Sequence, residues 1–90
     1  MMNGSPQKHA KICEELNKIY TTKNAAYGDA FGETFQKLGM ISAVTRMTDK
    51  VNRLQALTTN PDIAEGDESI LDTCMDLANY AIMTVMEIRK

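Results

Sequence analysis

The stretch that most constrains this chain is residues 68–88, Glu-Ser-Ile-Leu-Asp-Thr-Cys-Met-Asp-Leu-Ala-Asn-Tyr-Ala-Ile-Met-Thr-Val-Met-Glu-Ile, a helical pattern with acids set inside its apolar run. Ile70, Leu71, Cys74, Met75, Leu77, Ala78, Ala81, Ile82, Val85, Met86 and Ile88 cover most of the circumference and are expected to face protein. Asp72, Asp76, Asn79 and Met83 share the narrow remaining strip at spacings of four, three and four, which lines up two carboxylates and an amide on one edge. Ionised carboxylates packed against protein need a cation, a cluster of donors or a metal, because the desolvation cost is several kcal/mol otherwise. What answers Asp72 and Asp76 is therefore the functional question.

Upstream, two more helices are expected. Ser5-Pro6 is a helix start, Ser capping and Pro in the first turn, and His9, Ile12, Leu16, Ile19 and Tyr20 keep a helical period while Lys8, Lys11, Glu15 and Lys18 stay wet. The first helix is placed at about 6–22, the second at about 33–58 and the third at about 67–89, with Asp67 as N-cap of the last. In the second helix Ile41, Val44, Thr48, Val51, Leu54 and Leu57 or Thr58 keep the helical period, and Gly39 predicts a bend or close helix contact. Arg46, Asp49, Lys50 and Arg53 form another edge, well placed to meet the acidic strip; Arg53 or Arg46 would then compensate Asp72 or Asp76. The fold class is all-α: one domain over 1–90, a small bundle of three main helices completed by oligomerisation, since a chain this short buries only about 60–65% of its unfolded surface.

Between Lys23 and Gly32 the period breaks into Lys-Asn-Ala-Ala-Tyr-Gly-Asp-Ala-Phe-Gly. This is expected as a turn-rich connector. Its rings either plug the end of the bundle or serve a ligand, with Tyr27 or Phe31 stacking a base and Lys23 meeting a phosphate.

Composition narrows the classes. A net charge of −2 and a pI near 5.3 argue against non-specific nucleic-acid binding, which needs a basic surface to release counterions. The single His9 is read as a surface or structural residue, and without a second His a zinc site of the His/Cys kind is excluded. Cys13 and Cys74 fall at apolar helical positions and are expected as reduced core residues, consistent with a cytoplasmic protein. No run is apolar enough for a membrane span or a secretory leader.

Three separated motifs, Lys23-Asn24-x-x-Tyr27-Gly28-Asp29-x-Phe31, then Asp49-Lys50-x-x-Arg53-Leu54, then Glu68-Ser69-x-x-Asp72-x-x-x-Asp76-Leu77-x-Asn79-Tyr80, resemble the nucleotide modification associated domain 1 family of small phage and prophage proteins. The resemblance implies a phage-type origin, hence a host cytoplasm, a link to nucleotides, and Tyr27, Asp49, Lys50, Arg53, Asp72 and Asp76 as first-choice site residues. A more distant similarity is to the all-α, MazG-like nucleoside-triphosphate pyrophosphatases, which hold Mg²⁺ with acid pairs on two helices. This chain departs from that pattern: Glu14 and Glu15 are adjacent, Glu68 and Asp72 are four apart, and Asp49 stands among cations.

Two functional readings and a structural one follow. In the first, a homo-oligomer binds a nucleotide or nucleotide-derived molecule in inter-subunit pockets without hydrolysis or cofactor, sequestering a host immune signal. Its ligand residues are Lys23, Tyr27, Phe31, Arg46, Asp49, Lys50, Arg53, Asp72, Asp76 and Asn79. In the second, Glu68, Asp72 and Asp76 hold Mg²⁺ for pyrophosphohydrolysis or an accessory step of modified-nucleotide metabolism. In the third, the chain is a structural or protein-interaction module whose charged strips only fix helix register.

Overall fold

A computed structural model describes residues 4–60 and 69–90. It is all-helical over those residues: α1 (Pro6–Tyr27), α2 (Ala30–Leu38), α3 (Met40–Thr59) and α4 (Ile70–Ile88). Ser5 caps α1 by accepting from the Lys8 backbone N–H, as expected, with Pro6 in the first turn. The helix does not stop at residue 22. Asn24, Ala25 and Ala26 are compatible with helical backbone, and α1 runs until Gly28, whose φ of 69° takes the chain out of it. The expected connector is thus the last turn of α1, a two-residue joint at Gly28-Asp29, and the first turn of α2. Asp29 caps α2 through a 3.1 Å bond from the Gly32 N–H to its Oδ1.

The expected second helix is likewise two. Gly39 does more than bend it: at φ 76° and ψ −164° it ends α2 and starts α3 in a region that residues with a Cβ avoid. α4 begins at Ile70, capped by Ser69, whose Oγ accepts from the Asp72 N–H at 3.0 Å. The cap is therefore not Asp67, which lies outside the described residues.

α3 and α4 make the main packing contact, antiparallel, with α2 against both and the second half of α1 against α4. The face that each long helix turns inward is not the one its apolar pattern suggests. From α4, Thr73, Asn79, Thr84 and Glu87 are buried, with Asp76, Tyr80 and Met83 half-buried beside them, while Ile70, Leu71, Cys74, Ile82, Val85, Met86 and Ile88 are exposed. From α3, Ala43 and Leu57 are buried, and Arg46, Met47, Lys50 and Arg53 are half-buried, but Ile41, Val44, Thr48 and Val51 face out. The reason is geometric. α4 has more apolar circumference than the helices on one side of it can cover, so the seam forms where the ionic and hydrogen-bonding groups satisfy one another. Both cysteines are free and exposed, which corrects the expectation of core positions.

At the far end of the seam, Gln36 of α2 donates to Glu87 Oε1 at 3.1 Å, and Lys90 Nζ lies 3.0 Å from Oε2. The Lys90 hydrogen bond holds the Glu87 carboxyl below its ordinary value of 4.5, outweighing the upward push of burial, and Gln36 adds to the lowering.

Two outcomes follow from these joints. Gly39→Ala is expected to destabilise the protein by about 1–3 kcal/mol in chemical denaturation, although a Cβ there meets no atom within 4 Å, because the cost is backbone conformation and not space. For Glu87, the folded carboxyl titrates below the unfolded one, so its contribution is complete above pH 4.5 and is lost as pH falls through the folded value. Thermal melts of wild type and Glu87→Gln should differ at neutral pH and converge on acidification.

Candidate functional site

α1 carries Ile19, Tyr20, Lys23 and Tyr27 on one face because the helix continues past residue 22 and keeps their spacing. Together with Asn24, the Gly28-Asp29 joint and Phe31 of α2, this face forms one wall of a cleft; Asp76, Asn79, Tyr80 and Met83 of α4 form the other. The cleft holds a cavity of about 110 Å³ and opens widely to solvent.

Asp76 is answered by two lysines. Lys50 Nζ of α3 lies 3.1 Å from its Oδ2 and Lys23 Nζ of α1 lies 3.5 Å from its Oδ1, so one carboxylate ties three helices together. Arg46, one of the two arginines expected in this role, is placed otherwise. Arg46 sits 5.9 Å from the ring centroids of both Phe31 and Tyr80, which are themselves stacked 5.9 Å apart with their planes 19° from parallel. It acts on the rings as a cation over π faces, and a turn later along the same edge Lys50, not Arg46, is the residue opposite Asp76. Arg53 lies half-buried one further turn along α3. The two lysine pairs differ in character. Lys50 is 19% exposed and Lys23 is 59% exposed, so the Lys23 pair is long, solvent-screened and easily given up.

Asn79 is buried, and its Nδ2 donates to the Leu16 backbone carbonyl at 3.1 Å, inside an α1 turn that already uses its own carbonyls for the helix. This bond fixes the spacing of the two walls. Tyr27, by contrast, is 76% exposed and lends the mouth an open aromatic face.

Of the residues expected from sequence, Lys23, Tyr27, Phe31, Asp76 and Asn79 line the cleft. Lys50 and Arg46 reach its wall from behind, through Asp76 and through the Phe31–Tyr80 stack. Asp49 and Asp72 do not join them: both are exposed, neither lines the cleft, and neither makes an ion pair among the described residues. Glu68 lies outside the described residues. Among those described, no three His, Cys, Asp or Glu side chains converge as metal ligands. The sequence reading missed Tyr20, Asn24 and Tyr80 as lining residues. The signal was present in the spacing 16, 20, 23, 27, which continues the first helix through the supposed connector.

Among the described residues no helix is long and apolar enough to cross a membrane. Comparison with curated proteins returned no match, and comparison with solved structures returned none. Residues 23–88, from the lysine on the cleft wall to the end of α4, match the model of the family described as nucleotide modification associated domain 1, and the chain belongs to that family.

Proposed function

We propose that this protein binds a nucleotide or nucleotide-derived small molecule in the cleft between α1, α2 and α4, and holds it without chemistry. The observation that carries the reading is the pairing of an exposed ring with a weakly held cation on one helix face: Tyr27 at the mouth, and Lys23 one turn before it. A base stacks on Tyr27, since Phe31 already has one face against Tyr80. A phosphate competes with Asp76 for Lys23 and gains a charge-assisted hydrogen bond, while Lys50 keeps Asp76 neutralised. The family description supplies the link to nucleotides.

Holding without turnover fits the same geometry. Both Asp76 oxygens lie against lysine ammonium groups, which compete with any divalent cation, and Asp72 stands exposed one turn away. Such a binder suits sequestration of a nucleotide signal, in the phage setting that the family resemblance implies.

The test is thermal shift and calorimetry against nucleoside triphosphates, cyclic dinucleotides and ADP-ribose derivatives, each with Mg²⁺ and with EDTA, followed by recovery of the ligand. Binding in EDTA and intact recovery are expected; a ligand recovered cleaved only with Mg²⁺ overturns the chemistry-free half of the reading. Tyr27→Ala should leave the apo protein within about 0.5 kcal/mol of wild type, because the ring is exposed. It should weaken the ligand by about 1–3 kcal/mol of lost stacking. Lys23→Met should weaken phosphorylated ligands and spare the parent nucleoside.

A further inference from the structure

α4 presents its outer side to solvent as a continuous apolar face. At 100° per residue its exposed apolar side chains occupy roughly 160° of the helix, on the side away from Asp76 and Tyr80, and no charged residue between Ile70 and Ile88 falls on that arc, which ends at the C-cap Arg89. Leu71 is 68% exposed, and Ile70, Ile82, Val85 and Met86 are each close to half exposed. Surface helices of monomeric proteins place charge there. The outward stripe of α3, with Ile41, Val44 and Val51, adds to the same excess. Among the described residues thirteen large apolar side chains are exposed, against three buried apolar residues, Leu16, Ala43 and Leu57. So small a fully buried core contributes little against the conformational entropy of four helices.

An obligate homodimer removes more than about 1,000 Å² from each partner, through surface resembling a domain core cut in half.

We propose that the outer face of α4 is where a second copy of this chain packs, two-fold symmetrically, so that the two α4 helices become the centre of a helical bundle. A second copy is the occupant that the face itself specifies. An arc without charge offers no like-charge repulsion to its own copy and no ionic registration to a different protein, and a broad apolar face of this kind is what obligate partners bury. The cleft lies on the opposite side of α4 and stays open in such a dimer, so the proposal stands apart from the nucleotide reading.

Cys74 lies on the proposed interface and Cys13 on α1 away from it, and both are exposed in the single chain, which makes thiol reactivity an internal comparison. The experiment is sedimentation of the wild-type protein at micromolar concentration, with alkylation of both thiols followed by mass spectrometry, repeated on Ile82→Glu. Twice the 10.0 kDa chain mass is expected. Cys74 should react at least roughly tenfold more slowly than Cys13, as a thiol desolvated in apolar surroundings does. Ile82→Glu should sediment as a monomer with Cys74 reactive; should it fail to fold, dilution of the wild type must release Cys74 in step with dissociation. A wild-type mass of 10.0 kDa, which would leave the face to a different protein, overturns the proposal, as does an oligomer in which Cys74 reacts as fast as Cys13.

Discussion

The carboxylate of Asp76 is the point on which the rest of the structure turns. It sits half-buried on α4 with an ammonium group from α3 on one oxygen and one from α1 on the other. Removing either lysine leaves a partly desolvated charge less compensated, and removing Asp76 leaves two cations facing each other across the seam. Because Asp76 is held at its place, the neighbouring turns of α4 are too: Asn79 reaches the Leu16 carbonyl on one side of the seam and Tyr80 meets Phe31 and Arg46 on the other. The cleft is the space that these three attachments keep open.

That arrangement inverts the usual division of a small helical domain. Its interior seam is built from threonine, asparagine, lysine, arginine and carboxylates, and much of its aliphatic surface points outward. A polar seam costs little when each group has a partner, and it fixes helix register more sharply than interchangeable aliphatic contacts do. It also adds little net stability, because each hydrogen bond replaces one made to water. Beyond Leu16, Ala43 and Leu57, much of the aliphatic surface lies on the outer faces of α3 and α4. Site and candidate interface lie back to back on one helix, and a change on the outer face can reach the cleft only through α4 itself.

Lys23 and Lys50 show how one acid can serve two ends. Lys50, mostly covered, neutralises Asp76 through a pair of 3.1 Å. Lys23, mostly wet, holds it through a long pair of small worth, so its ammonium group can turn to another anion at low cost. The distinction arises from the helices that carry them. α3 is packed along α4, whereas α1 meets α4 only over its second half.

Much of this was legible in the residues. The all-α class, the Ser5-Pro6 start, the acidic edge of α4, the basic edge of α3 and the aromatic-lysine stretch around Tyr27 are local patterns, set by propensity, capping chemistry and helical spacing. The meeting of the two charged edges was legible in part: Lys50 meets Asp76, while Asp49 and Asp72 stay exposed. What only the tertiary structure decided was direction. Whether α4 turned its aliphatic arc or its acidic edge inward depends on how many neighbours the helix has, and a one-dimensional pattern does not contain that number. The same holds for the choice of Lys50 over Arg46 as the partner of Asp76, for the exposure of Asp49, Asp72 and both cysteines, and for Gly28 and Gly39, whose positive φ makes them helix ends where spacing alone allowed a loop or a bend. Composition and spacing determine which faces a helix owns; packing decides which of them it hides.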